Sequence, residues 1–143
     1  MPGSSSAVPK KAYPSNAKRR FTVDEANRTL PLVKRIVGDI VRTHTLVSQL
    51  HQQLETPAPA AAQQKTQDEL ESQIDRLNEY VGELAAVGCD LKDYQAGLVD
   101  FLGRHKGRDI CLCWKLGEEK IEYWHEMQTG FAGRQPVATL EEE

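Results

Sequence analysis

The stretch RDICLCWKLGEEKIEYWHEM, residues 108–127, holds two of the three cysteines, both tryptophans and a histidine. Two short runs rich in β-branched and aromatic residues flank Gly117-Glu118, the pattern of strand, turn, strand. Side chains on a strand alternate between faces. Ile110, Leu112, Trp114 and Leu116 therefore share one side of the first strand, with Cys111, Cys113 and Lys115 on the other. In the second strand Ile121, Tyr123, His125 and Met127 oppose Glu122, Trp124 and Glu126. A hairpin loop of even length puts His125 on the side of Trp114, facing the core. A two-residue turn would set Lys115 against Lys120, an unfavourable like-charge pair. A four-residue loop, 117–120, sets Lys115 against Glu122 and is the preferred register. On that parity the two cysteines point away from His125, and a zinc site from Cys111, Cys113 and His125 is not expected, because zinc needs convergent ligands. The two-residue spacing also strains a Cys111–Cys113 disulfide.

Upstream the pattern is helical. Thr22 and Glu25 form a capping-box signature, and Val33, Ile36, Val37, Ile40, Val47, Leu50 and Leu54 make one apolar stripe. Pro31 has no N–H to donate, so the spacing predicts a short helix to Leu30 and a kink or restart at Pro31. Residues 56–64, TPAPAAAQQ, read as a loop. Leu70, Ile74, Leu77, Val81 and Leu84 then step by four and three, a heptad seam ending near Gly88. Two helices joined by a short loop form an antiparallel hairpin. Their narrow seams cannot bury enough surface alone, so the hairpin must pack on the C-terminal part, on a second copy, or on both. The expected fold class is α+β: a helical hairpin over residues 22–87, a small antiparallel sheet over 89–127, and a loop over 128–136.

The chain has 143 residues, 39% of them hydrophobic and 27% charged, enough for one domain with a modest core. Residues 1–20 carry Lys10, Lys11, Lys18, Arg19 and Arg20 and no acid, and read as a disordered basic arm. Beyond the arm, 13 basic residues face 21 acidic ones, a balance of −8, with an acidic tail at 137–143. An acidic body argues against nucleic acid as a partner, although the arm suits an anionic partner. No apolar run follows the N-terminal charges, and no segment reaches the ~20 apolar residues of a membrane span. With three cysteines and no secretory signal, a cytoplasmic protein with reduced thiols is expected, away from membranes.

The polar candidates follow from placement. A histidine on a core-facing strand must find a hydrogen-bond partner or bind something. Asp100 lies between Val99 and Phe101 on a strand-like run, an acid set in apolar surface. Arg134, in GFAGR, can grip an anion with two parallel bonds. His44 and His51 border the first helical stripe and lie about 10 Å apart along the axis, too far to share a metal. No P-loop, dinucleotide fingerprint, HExxH or GxSxG occurs.

The segments FTVDEANRTLP, GLVDF, CWKLGE, WH and GFAGR resemble a small bacterial domain family of unknown function with FTxxEAN..LP, GLVDF, CWxxGE, WH and GFxGR motifs. The likeness spans residues 21–37 and 88–136. It implies shared positions at Glu25, Asn27, Asp100, Trp114, Glu118, His125 and Arg134, and no known activity. The resulting expectation is a polar ligand- or metal-binding pocket between sheet and helices. His125, Asp100 and Glu118 are its acid/base residues or the ligands of a divalent metal, Glu25 is a further carboxylate on the ligand-binding side, and Arg134 clamps a small anionic ligand. The alternative is a non-catalytic interaction module, a homodimer formed through the helical hairpin. Neither reading assigns a reaction.

Overall fold

The computed structural model describes residues 19–140. Most of the basic arm and the acidic end of the tail lie outside the described residues. Helix α1 spans Val23–Leu54 and α2 spans Ala60–Val87. Five strands follow: β1 (Cys89–Asp93), β2 (Leu98–His105), β3 (Arg108–Lys115), β4 (Tyr123–Glu126) and β5 (Gln135–Pro136). They form one antiparallel sheet in the order β1-β2-β3-β4-β5. The α+β class and the helical hairpin are as expected.

α1 starts at the capping box. Thr22 Oγ1 accepts from the Glu25 amide, and a Glu25 carboxylate oxygen accepts from the Thr22 amide, both at 3.0 Å. Contrary to the expected break, α1 runs through Pro31. Pro31 sits on the exposed side, while Ala26, Leu30, Val33, Ile36 and Val37 are buried on either side of it. Packing of that stripe outweighs the one lost backbone bond. The expected loop 56–64 is also shorter, because α2 begins at Ala60, just after Pro59. Alanine has the highest helix propensity, and a run of it extends the helix backward.

The near half of the hairpin lies on the sheet. Leu30, Val33, Ile36, Val37, Ile40 and Leu84 join Phe101, Leu112, Trp114 and Trp124 in one buried cluster. The far half has its own small cluster of Val47, Leu50 and Leu70. Gly97 tightens the near half. It sits at φ +71°, where a Cβ would come within 2.8 Å of Leu116 and 2.9 Å of Val37.

The β3–β4 connection departs from the expected hairpin. Ladder pairs run Cys111↔His125, Leu112↔Trp124 and Cys113↔Tyr123. The seven residues 116–122 form a loop of odd length rather than a tight even turn. Helix α1 holds this loop: the Ile121 amide donates to Asn27 Oδ1 at 2.7 Å, and Lys34 Nζ donates to the Glu119 carbonyl at 2.8 Å. A one-residue change of register moves every side chain to the other face. His125 therefore shares a face with Cys111 and Cys113. Trp124, expected outward, is buried against the helices with Trp114.

The expected loop 128–136 contains a 3-10 turn, Phe131–Gly133, and strand β5. A second 3-10 turn, Val137–Thr139, packs Val137 and Leu140 on the core. Thr139 Oγ1 accepts from Trp124 Nε1 at 2.9 Å.

Candidate metal centre on the outer face

The register builds the site. β1, β2, β3 and β4 place Asp90, Asp100, Cys113 and Tyr123 in one row across the sheet, with Cys111 and His125 paired in the next. All project from the face that the helices do not cover. The loop after β4 closes over part of this face. The pocket around His125 is thus on the sheet's outer side, not between sheet and helices as the even-loop parity implied.

Asp100 and His125 are buried, at 6% and 2% exposure. His125 Nδ1 lies 2.7 Å from the Glu126 carbonyl oxygen. A carbonyl only accepts, so Nδ1 carries the proton and donates. Nε2 faces both Asp100 oxygens at 3.1 Å. In a neutral imidazole with its proton on Nδ1, Nε2 is a bare lone pair, and two lone-pair donors at this distance repel. A proton or a metal ion between them resolves the conflict. Holding Nδ1 on a backbone carbonyl is also how metal-ligating histidines are oriented.

Cys113 completes the group. One ligand atom from each of Asp100, Cys113 and His125 lies within 4.8 Å of the others, and all three residues are buried. Around a tetrahedral zinc such atoms sit about 3.3–3.6 Å apart, so closure needs a side-chain shift of about an ångström. Without a metal the thiol is protonated: burial, with the Asp100 charge adding to it, pushes Cys113 up to about 12. A second carboxylate bears on the site, since Asp90 lies directly opposite Asp100 in the ladder and lines the same cavity. Cys89 takes no part. It belongs to the inner cluster, and burial pushes its thiol up to about 12.

Of the residues singled out from sequence, His125 and Asp100 are brought together. Glu118 is elsewhere: its Oε1 accepts from Arg134 Nη2 at 2.7 Å and from the Lys115 amide at 2.9 Å. Burial raises the Glu118 carboxyl, but these hydrogen bonds and the Arg134 charge outweigh it and hold it below the usual carboxylate range. The Glu118 carbonyl also accepts from Trp114 Nε1 at 2.9 Å. Arg134 is stacked 4.2 Å from the Tyr123 ring centroid and 4.6 Å from that of Phe131. Its Nη2 reaches the Cys113 carbonyl at 3.5 Å. Arg134 thus clamps Glu118 and backs β3 from outside the cavity lining. Glu25 is the capping-box acid of α1 and does not line the cavity around His125. Cys113 was weighed from sequence as a ligand beside His125 and set aside, because the even-loop parity turned it to the other face. An odd-length β3–β4 loop was the available signal, and Asn27, the α1 residue that enforces it, was visible only as a motif position.

Among the described residues no helix is long and apolar enough to cross a membrane. No curated protein and no solved structure matches the chain. A family model described as "Uncharacterized conserved protein (DUF2203)" matches residues 19–137, most of its length, and the chain belongs to that family.

Proposed function

We propose that the protein binds a divalent metal of the zinc class through Asp100 Oδ, Cys113 Sγ and His125 Nε2, as the floor of a small-molecule pocket. The observation that carries this reading is the pair of buried acceptors, Nε2 and the Asp100 carboxylate, facing each other at 3.1 Å with Nδ1 already committed to a carbonyl. One sulfur, one nitrogen and one oxygen suit zinc better than magnesium or calcium, which take oxygen alone. Three protein ligands leave a fourth position, the pattern of reactive rather than structural zinc sites. Asp100 and His125 both line the outer cavity, so that position opens toward it.

A cysteine-nucleophile reading fits less well. His125 turns Nε2 to Asp100 and Nδ1 to a carbonyl, leaving no nitrogen free as a base for Cys113, and a thiol held near 12 is a poor nucleophile. The test is metal content of untagged protein after dialysis, with folding followed by circular dichroism. About one zinc per chain is expected for the parent, with loss in folded Cys113→Ser and His125→Ala variants. No metal in the parent, or unchanged content in both variants, refutes the site.

A second reading, compatible with the first, is homodimerisation through the hairpin. Ile74, Leu77 and Val81 of the α2 seam are only partly buried, and the far half of the hairpin has no sheet over it. Light scattering tests this, since a strict monomer at high concentration contradicts it.

A further inference from the structure

The register that builds the zinc-class centre also brings two further sulfurs together. Cys111 stands opposite His125 in the β3–β4 ladder, and Met127 follows two residues after His125. Met127 is thus diagonal to Cys111, a spacing that long side chains bridge. The Cys111 thiol donates to Met127 Sδ at 3.6 Å. Both residues line the cavity of about 730 Å³ over the outer face. Cys111 is 8% exposed, whereas Met127, a thioether held at the surface, is 52% exposed. Neither belongs to the group of Asp100, Cys113 and His125.

Two sulfurs at this separation fit one ion. An ion bonded to each at about 2.3 Å, the metal–thiolate distance of zinc sites, would make an S–metal–S angle of about 100°. Such a bend leaves a third position for a ligand entering from the cavity. The donors decide the class of ion: a thiolate with a thioether selects copper(I) over the hard divalent cations, which take oxygen. Charge points the same way. Binding breaks the Cys111 S–H bond and forms an S–Cu bond; the proton leaves to solvent and no electron is transferred. A monovalent ion in place of that proton leaves the net charge unchanged, whatever balance Lys92, Asp90, Asp100, Arg20 and Asp109 strike around the cavity. The flexible Met127 side chain can close on the ion from its exposed position without moving the sheet.

We infer that Cys111 Sγ and Met127 Sδ form a binding site for a copper(I)-class ion in the cavity wall, beside the zinc-class centre and sharing no ligand with it. The site stands on the Cys111–Met127 contact and does not need the zinc reading.

The test is anaerobic titration of the full-length protein with copper(I), kept reduced by ascorbate, against a copper(I) chelator of known affinity. Circular dichroism follows folding of each variant. Uptake by the parent is expected, with X-ray absorption at the copper edge showing two sulfur neighbours. Met127→Leu, a change of similar volume at an exposed position, is expected to leave one sulfur and weaken binding at least about tenfold, the loss that even an outer-shell partner carries. Cys111→Ser is expected to abolish uptake, whereas Cys113→Ser, which removes the sulfur of the zinc-class centre, retains it. No uptake by the parent overturns the site, as does equal affinity in Met127→Leu. Uptake retained in folded Cys111→Ser, or lost in folded Cys113→Ser, puts the ion elsewhere and overturns it too. The Met127→Leu comparison decides the matter where Cys111→Ser does not fold.

Discussion

The two faces of the sheet come from the same strands and have opposite chemistry. On the inner face Phe101, Leu112, Trp114 and Trp124 are buried among helical side chains. On the outer face the alternate residues Asp100, Cys111, Cys113 and His125 are nearly as buried, yet they lie under a loop beside a cavity. Burial alone does not distinguish core from site. The difference lies in what the buried atoms ask for: the inner face needs only close packing, whereas the outer face holds two acceptors that need a proton or a metal ion between them.

Substitutions can break this contrast. Trp114→Ala carries the largest expected effect, about 3–5 kcal/mol of lost stability, since it empties the inner core and leaves the Glu118 carbonyl without its indole donor. Urea unfolding measures it, and no single outer-face change should restore it. His125→Ala in chelator-treated protein leaves the buried Asp100 carboxylate with only the weak Cys113 thiol donor beside it and should cost about 3 kcal/mol. Here a rescue is expected: His125→Phe combined with Asp100→Leu removes both polar partners and should recover most of the loss. If the double variant is as unstable as the single one, the outer face is packing rather than a paired polar site.

Smaller effects sharpen the picture. Thr22→Ala removes the capping hydroxyl of α1 and should lower the urea midpoint by an amount equal to about 1 kcal/mol. Glu118 supplies a pH signature. Its carboxyl is held below the usual range in the folded chain, so its contribution is fully present above the ordinary carboxylate value of about 4.3 and is lost as pH falls through the folded value. Glu118→Gln should lower stability at neutral pH and flatten the acid side of the stability profile. An unchanged acid slope contradicts the Arg134–Glu118 clamp.

Much of the fold was legible from periodicity and caps. The stripe from Val33 to Leu50, the box at Thr22 and Glu25, and the Gly88 cap each act over a few residues, and each is where the pattern put it. The continuity of α1 through Pro31 was not legible, because it depends on burial on both sides of the proline. The outer site was half legible. Asp100 and His125 stood out as polar residues in apolar strands, but their partner Cys113 depends on whether residues 116–122 count as an odd or even connection. The loop is held by Asn27 and Lys34, 94 and 85 residues away in sequence from their partners. Local turn chemistry around Gly117 cannot supply those contacts.

X-ray absorption at the zinc edge tests the central claim most directly, because it counts ligands by type. A single sulfur near 2.3 Å with nitrogen and oxygen near 2.0 Å is expected, and the sulfur shell should vanish in Cys113→Ser. A bound zinc whose first shell contains no sulfur, or contains the same sulfur after that substitution, would contradict the assignment of Asp100, Cys113 and His125 as one metal centre.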